Sequence, residues 1–167
     1  MSSEVIVAGV TFEGCFREHF GRLVALAASV TGDRDLAGEL AQEAFVRLHR
    51  NWSVVQSYDD PGGWLRRVLA NLLIDHHRSR DAERRAVVRL ANRAGTEQHG
   101  TTDVGDDWAV LVAGLPQRQR LIVTLFYGED RSVTEIATIL DVSPNTVKSA
   151  LSKARDALRE RWEQDHD

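Results

Sequence analysis

The sequence predicts an all-α protein built from two small helical domains joined by a flexible linker. Three observations support this fold class. Alanine, leucine, arginine and glutamate are abundant among the 167 residues, whereas only 3 are prolines, a composition typical of helices. Apolar residues recur every three or four positions along most of the chain, which is the period of a helix with one buried face. The 43% apolar share is enough for one good core or two small ones.

A loose arm at residues 1–11 precedes a first domain, which we place at residues 12–93. Its first helix carries a phenylalanine-rich stripe that starts at Phe12 and is predicted to end near Gly32, since glycine commonly ends helices. A second helix with its own apolar stripe follows, and Asp35 is a candidate N-cap for it. The arm itself shows no clear pattern.

A predicted loop at residues 51–63 leads into the third helix. Asp60 is a good N-cap, and Pro61 is a good first helical residue because its missing N–H costs nothing there. By helical geometry, four polar side chains fall within a strip about 80° wide, namely Arg67, Asn71, Asp75 and Arg78. Such a strip can bind a nucleic-acid backbone or a flipped base. The alternative is a solvated surface helix with ion pairs.

Charge is unevenly distributed along the chain. Residues 61–93 hold eight basic and three acidic side chains, whereas residues 94–107 hold four acidic residues, three glycines and no basic residue. The second stretch predicts a linker, followed by a second domain at residues 108–163. A free-standing DNA-binding protein usually carries a basic excess, but this chain has a net charge of −4. We therefore expect weak DNA affinity alone and help from a partner.

The second domain contains two helix starts in close succession. Ser132 and Glu135 form a predicted capping box, and Ser143 followed by Pro144 marks the next start. Only a tight turn separates the two helices, so the pattern predicts a helix-turn-helix. Two helices before it complete a predicted four-helix unit.

The outer face of the last helix carries small polar side chains between basic ones. This face and its flanks comprise Asn145, Thr146, Lys148, Ser149, Ser152, Lys153 and Arg155. Small polar groups can read base edges while basic flanks hold phosphates. The alternative interpretation is an ordinary solvated amphipathic helix, because helix-turn-helix patterns also arise by accident.

The sequence contains no recognisable catalytic motif. Asp75, His76 and His77 form a triplet of metal-ligating residue types, but neighbouring residues on a helix point about 100° apart and cannot share one ion. No Gly-rich phosphate loop, HExxH motif or Gly-x-Ser-x-Gly motif occurs. We therefore expect no enzyme activity, no cofactor and no metal.

Two features bear on the compartment. The chain has no run of roughly 18 apolar residues, so no membrane insertion is expected. Cys15, the only cysteine, lies among phenylalanines and is interpreted as core packing in a reduced, cytoplasmic setting.

Several motifs occur in an order that resembles one protein family. They are DRDLAGELAQEAFVRL (33–48), WLRRVLANLLIDHHR (64–78), LPQRQR (115–120) and EIATILDVSPNTVKSALSKARDAL (135–158). With the acidic linker between them, they resemble the extracytoplasmic-function sigma factors of bacterial RNA polymerase, most of all an actinobacterial subgroup. The resemblance covers about residues 12–162. It implies promoter-specific transcription initiation without nucleotide hydrolysis.

The resemblance also implies a role for each surface. The helix at 33–52 matches the segment that docks on the clamp helices of the largest polymerase subunit, with candidate contacts at Glu39, Gln42, Glu43 and Arg47. The third helix matches the −10 element reader, with contacts at Arg67, Asn71, Asp75 and Arg78, and the loop at 53–63 matches one that captures an unstacked base. The helix at 143–159 matches the −35 reader. The implied partners are core polymerase, including its flap region, and promoter DNA, with an anti-sigma factor as a further candidate.

Two other functions remain open from the sequence alone. One is a stand-alone helix-turn-helix regulator with a helical N-terminal sensor domain, which would bind its operator without polymerase. The other is an enzyme or helical adaptor in which Asp75, His76 and His77 matter.

Overall fold

The computed structural model describes residues 10–90 and 107–166, and this part of the chain is helical without any strand. A single π-helical turn, Thr124–Gly128, continues the fifth helix directly. Within residues 10–90 and 107–166, the α-helices are α1 (Phe12–Thr31), α2 (Arg34–Val55), α3 (Pro61–Leu90), α4 (Asp107–Val112), α5 (Gln117–Val123), α6 (Val133–Leu140) and α7 (Pro144–His166). Among the described helices, none combines the length and the apolar character that crossing a membrane requires.

The ends of α1 are set by local hydrogen bonds. The Thr11 hydroxyl accepts from the backbone N–H of Gly14 at 3.0 Å, which satisfies one of the orphan donors of the first turn. At the other end Gly32 adopts φ 70°, and its N–H donates to the carbonyl of Ala28. Only glycine adopts this left-handed conformation without strain. The predicted end of the first helix is therefore confirmed.

The predicted start of α2 is wrong by two residues. Asp33, not Asp35, is the N-cap, and its carboxylate accepts from the N–H of Leu36 at 3.1 Å. Asp35 instead lies in the first turn, where a negative charge still favours the helix dipole.

The loop after α2 is shorter than predicted. Helix α2 continues to Val55, so only residues 56–60 connect it to α3, rather than the predicted loop at 51–63. The helix is extended because Val55 is buried and because the Asn51 side chain donates to the carbonyl of Arg47 at 2.8 Å. The helix start after this loop is confirmed, since Asp60 accepts from the N–H of Gly63 at 2.8 Å.

Helices α1 to α3 form the N-terminal unit around a shared apolar core. Leu23, Leu48 and Leu69, one from each helix, are fully buried, and each contributes roughly 1.5–3 kcal/mol by leaving water. Cys15 is buried in the same core as a free thiol, as predicted. Only the first half of α3 packs here, because residues 82–90 are exposed throughout.

Helices α4 to α7 form the C-terminal unit, and its helix-turn-helix is confirmed. The Ser132 hydroxyl accepts from Glu135 N–H at 3.1 Å, and the Glu135 carboxylate accepts from Ser132 N–H at 2.7 Å. Asp141 adopts φ 54° between the two helices, a conformation that Asp tolerates better than most residues. Ser143 then caps α7 by accepting from the N–H of Thr146 at 3.2 Å.

The two units pack directly against each other, which the sequence did not predict. Helices α1 and α3 contact α4, α5, α6 and the π-helical turn. The predicted linker at 94–107 lies outside the described residues except for Asp107, which begins α4. The predicted arm likewise lies outside the described residues up to residue 9.

His19 lies where α1 meets the start of α3. A Cβ on Gly62 would come within 2.6 Å of the His19 ring, so the absence of a side chain at Gly62 permits this close approach. Burial lowers the pKa of His19; the nearby Glu18 raises it, and Arg66 and Arg22 lower it further. The net direction is downward, so the folded protein favours the neutral ring.

This shift predicts a pH-dependent free energy of unfolding. The unfolded chain binds a proton at His19 near the ordinary pKa of 6.5, whereas the folded chain binds it only at lower pH. The contribution of neutral His19 to the free energy of unfolding should therefore be fully present above about pH 6.5. It should be lost as the pH drops toward the folded pKa. Urea unfolding at pH 7.5 and about 5.5 measures the difference.

The histidine variants separate this effect from other titrations. His19→Gln should reduce the loss of stability between the two pH values. The control is His49→Gln, which should leave that loss unchanged because His49 is exposed. An equal pH dependence in His19→Gln and the wild type would contradict the assignment.

Candidate nucleic-acid interface

The first half of α7 presents the predicted reading face. Its inner residues Val147, Leu151 and Ala154 are buried against α5 and α6, which fixes the rotation of the helix. As a result, the predicted residues are all exposed: Asn145, Thr146, Lys148, Ser149, Ser152, Lys153 and Arg155. The structure thus brings this set together on one open helix surface.

A groove beside this face adds residues that the sequence analysis missed. It has a volume of about 530 Å³, and one wall is formed by Asn145, Ser149 and Lys153 of α7. The opposite wall contains Arg118 and Gln119 of α5. Arg118 is exposed and supplies a second cation across the groove from Lys153. The arginines of the 115–120 motif were the only sign in the sequence of a helix that faces the groove. Which way their side chains point depends on how α5 packs, which the sequence does not reveal.

Arg155 is held by a partner from outside the helix-turn-helix. Its Nε donates to the hydroxyl of Tyr127, in the π-helical turn, at 2.8 Å. This bond orients the guanidinium while Tyr127 remains half exposed. Tyr127 was not predicted from the sequence, because it lies 28 positions from Arg155.

Helix α3 presents the second predicted set on one exposed face. Arg67, Asn71, Asp75 and Arg78 are all exposed, in agreement with the predicted strip. The adjacent His77 pairs with a residue off this strip, since its Nε2 lies 3.2 Å from the Asp81 carboxylate one turn later. Among the described residues, no group of three or more His, Cys, Asp or Glu side chains could hold a metal ion.

A cleft lies where the loop at 56–60 meets the start of α3. Its volume is about 340 Å³, and one wall contains Tyr58, Asp60, Trp64 and Arg67. Tyr58 is 45% exposed, so its ring is available for stacking. The opposite wall is formed by α6, including Thr134, Thr138 and Ile139. The cleft therefore places the exposed ring of Tyr58 beside Arg67 of the α3 strip.

The predicted docking residues form a polar face on α2. Glu39, Gln42 and Arg47 are exposed and Glu43 is half-buried. Arg47 Nε lies 3.2 Å from the Glu43 carboxylate, one turn away, a surface pair worth at most about 1 kcal/mol. Val46, between them, is 43% exposed. A single exposed apolar side chain of this kind is common on protein surfaces, so the polar residues around it define this face.

Two family models match the chain over the units described above. The model "Sigma-70 region 2" covers residues 15–83, within α1 to α3. The model "Sigma-70, region 4" covers residues 107–158, which includes α4 to α6 and most of α7.

Known relatives match both units together. The ECF RNA polymerase sigma factor SigL of Mycobacterium tuberculosis is 32% identical over 151 residues, covering 86% of this chain and 84% of SigL. The ECF RNA polymerase sigma factor SigE of Mycolicibacterium smegmatis is 32% identical over 154 residues, covering 86% of this chain. The chain spans only 58% of the length of SigE.

A solved structure shares the fold. The sigma factor RpoE of Bartonella quintana, crystallised with the anti-sigma factor NepR, matches with a TM-score of 0.69 and 24% sequence identity, covering 89% of this chain and 94% of RpoE. The two region models and the identity to SigL over most of its length show that the chain belongs to the extracytoplasmic-function (ECF) sigma factors of RNA polymerase.

Proposed function

We propose that this chain is a promoter-specificity subunit that binds core RNA polymerase and recognises −10 and −35 elements. The observation that carries the proposal is the presence of two separate exposed polar surfaces in one chain, the strip of α3 and the outer face of α7. Two weak readers on one chain reinforce each other by raising the effective concentration of the second contact. The net charge of −4 fits a chain that depends on polymerase for most of the phosphate attraction.

The α3 surface is proposed to act in opening the duplex. Arg67 and Arg78 lie on either side of Asn71 along the strip and can hold the backbone of a single strand. Flipping a base costs a few kcal/mol, so its capture must offset that cost. The cleft beside Tyr58 and Trp64 offers aromatic stacking, which is worth roughly 1–3 kcal/mol per base.

The α7 surface is proposed to read the −35 element in the major groove. Asn145, Ser149 and Ser152 supply hydrogen-bonding groups suited to base edges, and the cations around them suit phosphates. Arg118, across the groove from Lys153, extends the phosphate-binding edge of this surface.

Arg155→Ala should weaken binding to promoter DNA by about 1–3 kcal/mol if the guanidinium reads a base. Tyr127→Phe removes the oxygen that orients Arg155 and keeps the cation, so a smaller loss is expected. Fluorescence anisotropy of the polymerase complex on specific and scrambled −35 duplexes measures both. Equal losses on the two duplexes would show that Arg155 holds phosphate only.

The polar face of α2 is proposed to dock on the clamp helices of the largest polymerase subunit, and the C-terminal unit to lie near the flap region. An anti-sigma factor is a further proposed partner, supported by the Bartonella RpoE structure, which contains one. Because the proposed partner is the cellular transcription machinery, we place the chain in the cytoplasm.

Run-off transcription with core polymerase from the native cell tests the proposed function. Specific transcripts should form from a promoter library only when the chain is added, and the chain should co-purify with core polymerase. If instead the chain alone bound specific sites as a dimer and transcripts were unchanged, it would be a stand-alone regulator.

A further inference from the structure

Arg120 in α5 is a half-buried arginine that has no counter-ion among the described residues. Its Nε is shielded from solvent and has no hydrogen-bond partner within residues 10–90 and 107–166. Burial lowers the pKa of the guanidinium, and no carboxylate of the described residues counteracts this shift. Arginine nevertheless stays charged in proteins, and a buried charge without a partner is costly. The position of Arg120 therefore favours an anion beside it.

His76 in α3 carries a second buried polar atom of this kind. Its Nε2 is shielded from solvent and makes no hydrogen bond in the described part of the chain. His76 and Arg120 line the same cavity, which has a volume of about 290 Å³. Buried polar atoms nearly always have a hydrogen-bond partner in the protein, an ordered water or an ion. Two such atoms at one cavity therefore indicate a site where an anion can accept hydrogen bonds from both.

Two further arginines of α3 line this cavity. Arg80 and Arg84 follow His76 by one and two turns, so the three side chains share one face of the helix. Both arginines are exposed. They supply positive charge beside the buried donors of His76 and Arg120.

The cavity also contains two carboxylates, and each is engaged by another group. Asp33 caps α2 by accepting from the N–H of Leu36 at 3.1 Å. The Asp81 carboxylate lies 3.2 Å from Nε2 of His77. With three arginines and two aspartates among the described lining residues, the cavity keeps a net positive charge.

The walls of the cavity are fixed by hydrogen bonds of the fold itself. The Gln117 side-chain amide donates to the Leu73 carbonyl at 2.9 Å and so holds α5 on α3. At the end of α1, which forms another wall, the Thr31 hydroxyl donates to the Ala27 carbonyl at 2.8 Å. Sites for small molecules are usually preformed in this way and range from about 300 Å³ upward. A cavity of this size therefore suits a small ligand.

We propose that this cavity binds a phosphoryl group, carried by a small phosphate ester or by free phosphate, through the buried donors of Arg120 and His76. The planar fork of an arginine matches the oxygens of a phosphate better than it matches a spherical anion. Both donors are shielded from solvent, which favours a small molecule over the phosphates of a nucleic-acid backbone. The site shares no residue with the proposed −10, −35 and polymerase-binding sets, so it goes beyond the proposed function.

Isothermal titration calorimetry of the full chain tests the site, with glycerol phosphate and inorganic phosphate as probes. Succinate at equal ionic strength is the control anion, because it carries a similar charge on planar carboxylates. Both phosphate probes should bind, and succinate should bind at least about tenfold more weakly. Tighter binding of glycerol phosphate would assign the site to an ester, and tighter binding of inorganic phosphate would assign it to the free anion.

The variants identify the residues that hold the anion. Arg120→Gln should weaken binding of both phosphate probes by roughly 10- to 100-fold, the usual effect of losing a charge-assisted hydrogen bond. Because it also removes an unpaired buried charge, it should raise the Tm of the ligand-free chain. Arg84→Gln should weaken binding as well, and its exposed position keeps the fold intact. Arg85→Gln is the matched control, since Arg85 is equally exposed but is not among the described lining residues.

Three results would overturn the proposal. They are unchanged phosphate affinity in both Arg120→Gln and Arg84→Gln, equal affinity for succinate, and no binding of either phosphate probe at about 10 mM. If neither probe bound and Arg120→Gln instead weakened binding of a short single-stranded DNA, Arg120 would hold a nucleic-acid backbone rather than a small molecule. None of these measurements involves polymerase, so their outcome is independent of whether the proposed function holds.

Discussion

Replacing Gln42 by alanine together with Arg47 by glutamate is expected to abolish binding to core polymerase while the chain stays folded. Both side chains are exposed on α2, so neither contributes to the core. If both are hot-spot residues, which cost about 2 kcal/mol or more each when removed, the two losses correspond to roughly a 1,000-fold weaker affinity. Reversing the charge at Arg47 adds repulsion from any acidic group of the partner.

The expected cost to the fold is small. Arg47 pairs with Glu43 one turn away, so a glutamate at position 47 places two like charges at i and i+4, a penalty of about 0.2–0.5 kcal/mol. Circular dichroism and thermal unfolding should match the wild type. Polymerase affinity, measured by competition with the labelled wild-type chain, is the decisive quantity.

Arg34→Glu provides the control. Arg34 is exposed at the start of the same helix, away from the proposed face, and a negative charge there suits the helix dipole. It should leave polymerase affinity unchanged. Normal affinity in the Gln42→Ala/Arg47→Glu variant, with a normal circular dichroism spectrum, would reject α2 as the docking helix.

Local sequence signals predicted the helix-turn-helix well. The capping box of Ser132 and Glu135 and the cap at Ser143 each join residues only three positions apart. Such short-range hydrogen bonds can be predicted from the sequence. The apolar stripe of α7 then fixes which residues are exposed. The same holds for the α3 strip, whose four members follow from helical geometry once Asp60 and Pro61 start the helix.

Both ends of α2 were predicted wrongly, and for different reasons. Asp33 and Asp35 are both good cap residues, and the capping hydrogen bond to Leu36 selects the first. The end of the helix depends on Val55 being buried, which requires tertiary packing. Sequence alone therefore placed the loop too early.

The packing of the two units could not be predicted because it depends on long-range contacts. Arg66 and Glu129, whose side chains form an ion pair between the units, are 63 positions apart. In addition, an arginine beside an apolar stripe is usually exposed to solvent, so the sequence favoured an exposed Arg66. One signal was present: Leu69, Ala70 and Leu73 follow Arg66 at helical spacing and are buried. This second apolar stripe shows that the first half of α3 is covered on more than one side.

Asn71→Ala is expected to impair promoter melting much more than initial binding. Its amide offers both a donor and an acceptor to a splayed base edge, and its exposed position between Arg67 and Arg78 places it on a strand held by those cations. Loss of such a base contact costs about 1–3 kcal/mol, which lowers the rate of open-complex formation by roughly 5- to 150-fold. Run-off transcription on duplex promoters should fall accordingly, while closed-complex formation should change little.

A template with a pre-melted bubble around −10 distinguishes melting from other defects. It removes the cost of flipping and opening, so Asn71→Ala should recover much of the activity there. Asn51→Ala is a matched control, since Asn51 is also exposed but donates to the Arg47 carbonyl on α2 and lies off the strip. Equal impairment of Asn71→Ala on both templates, or weakened binding to core polymerase, would show that Asn71 has no role in melting.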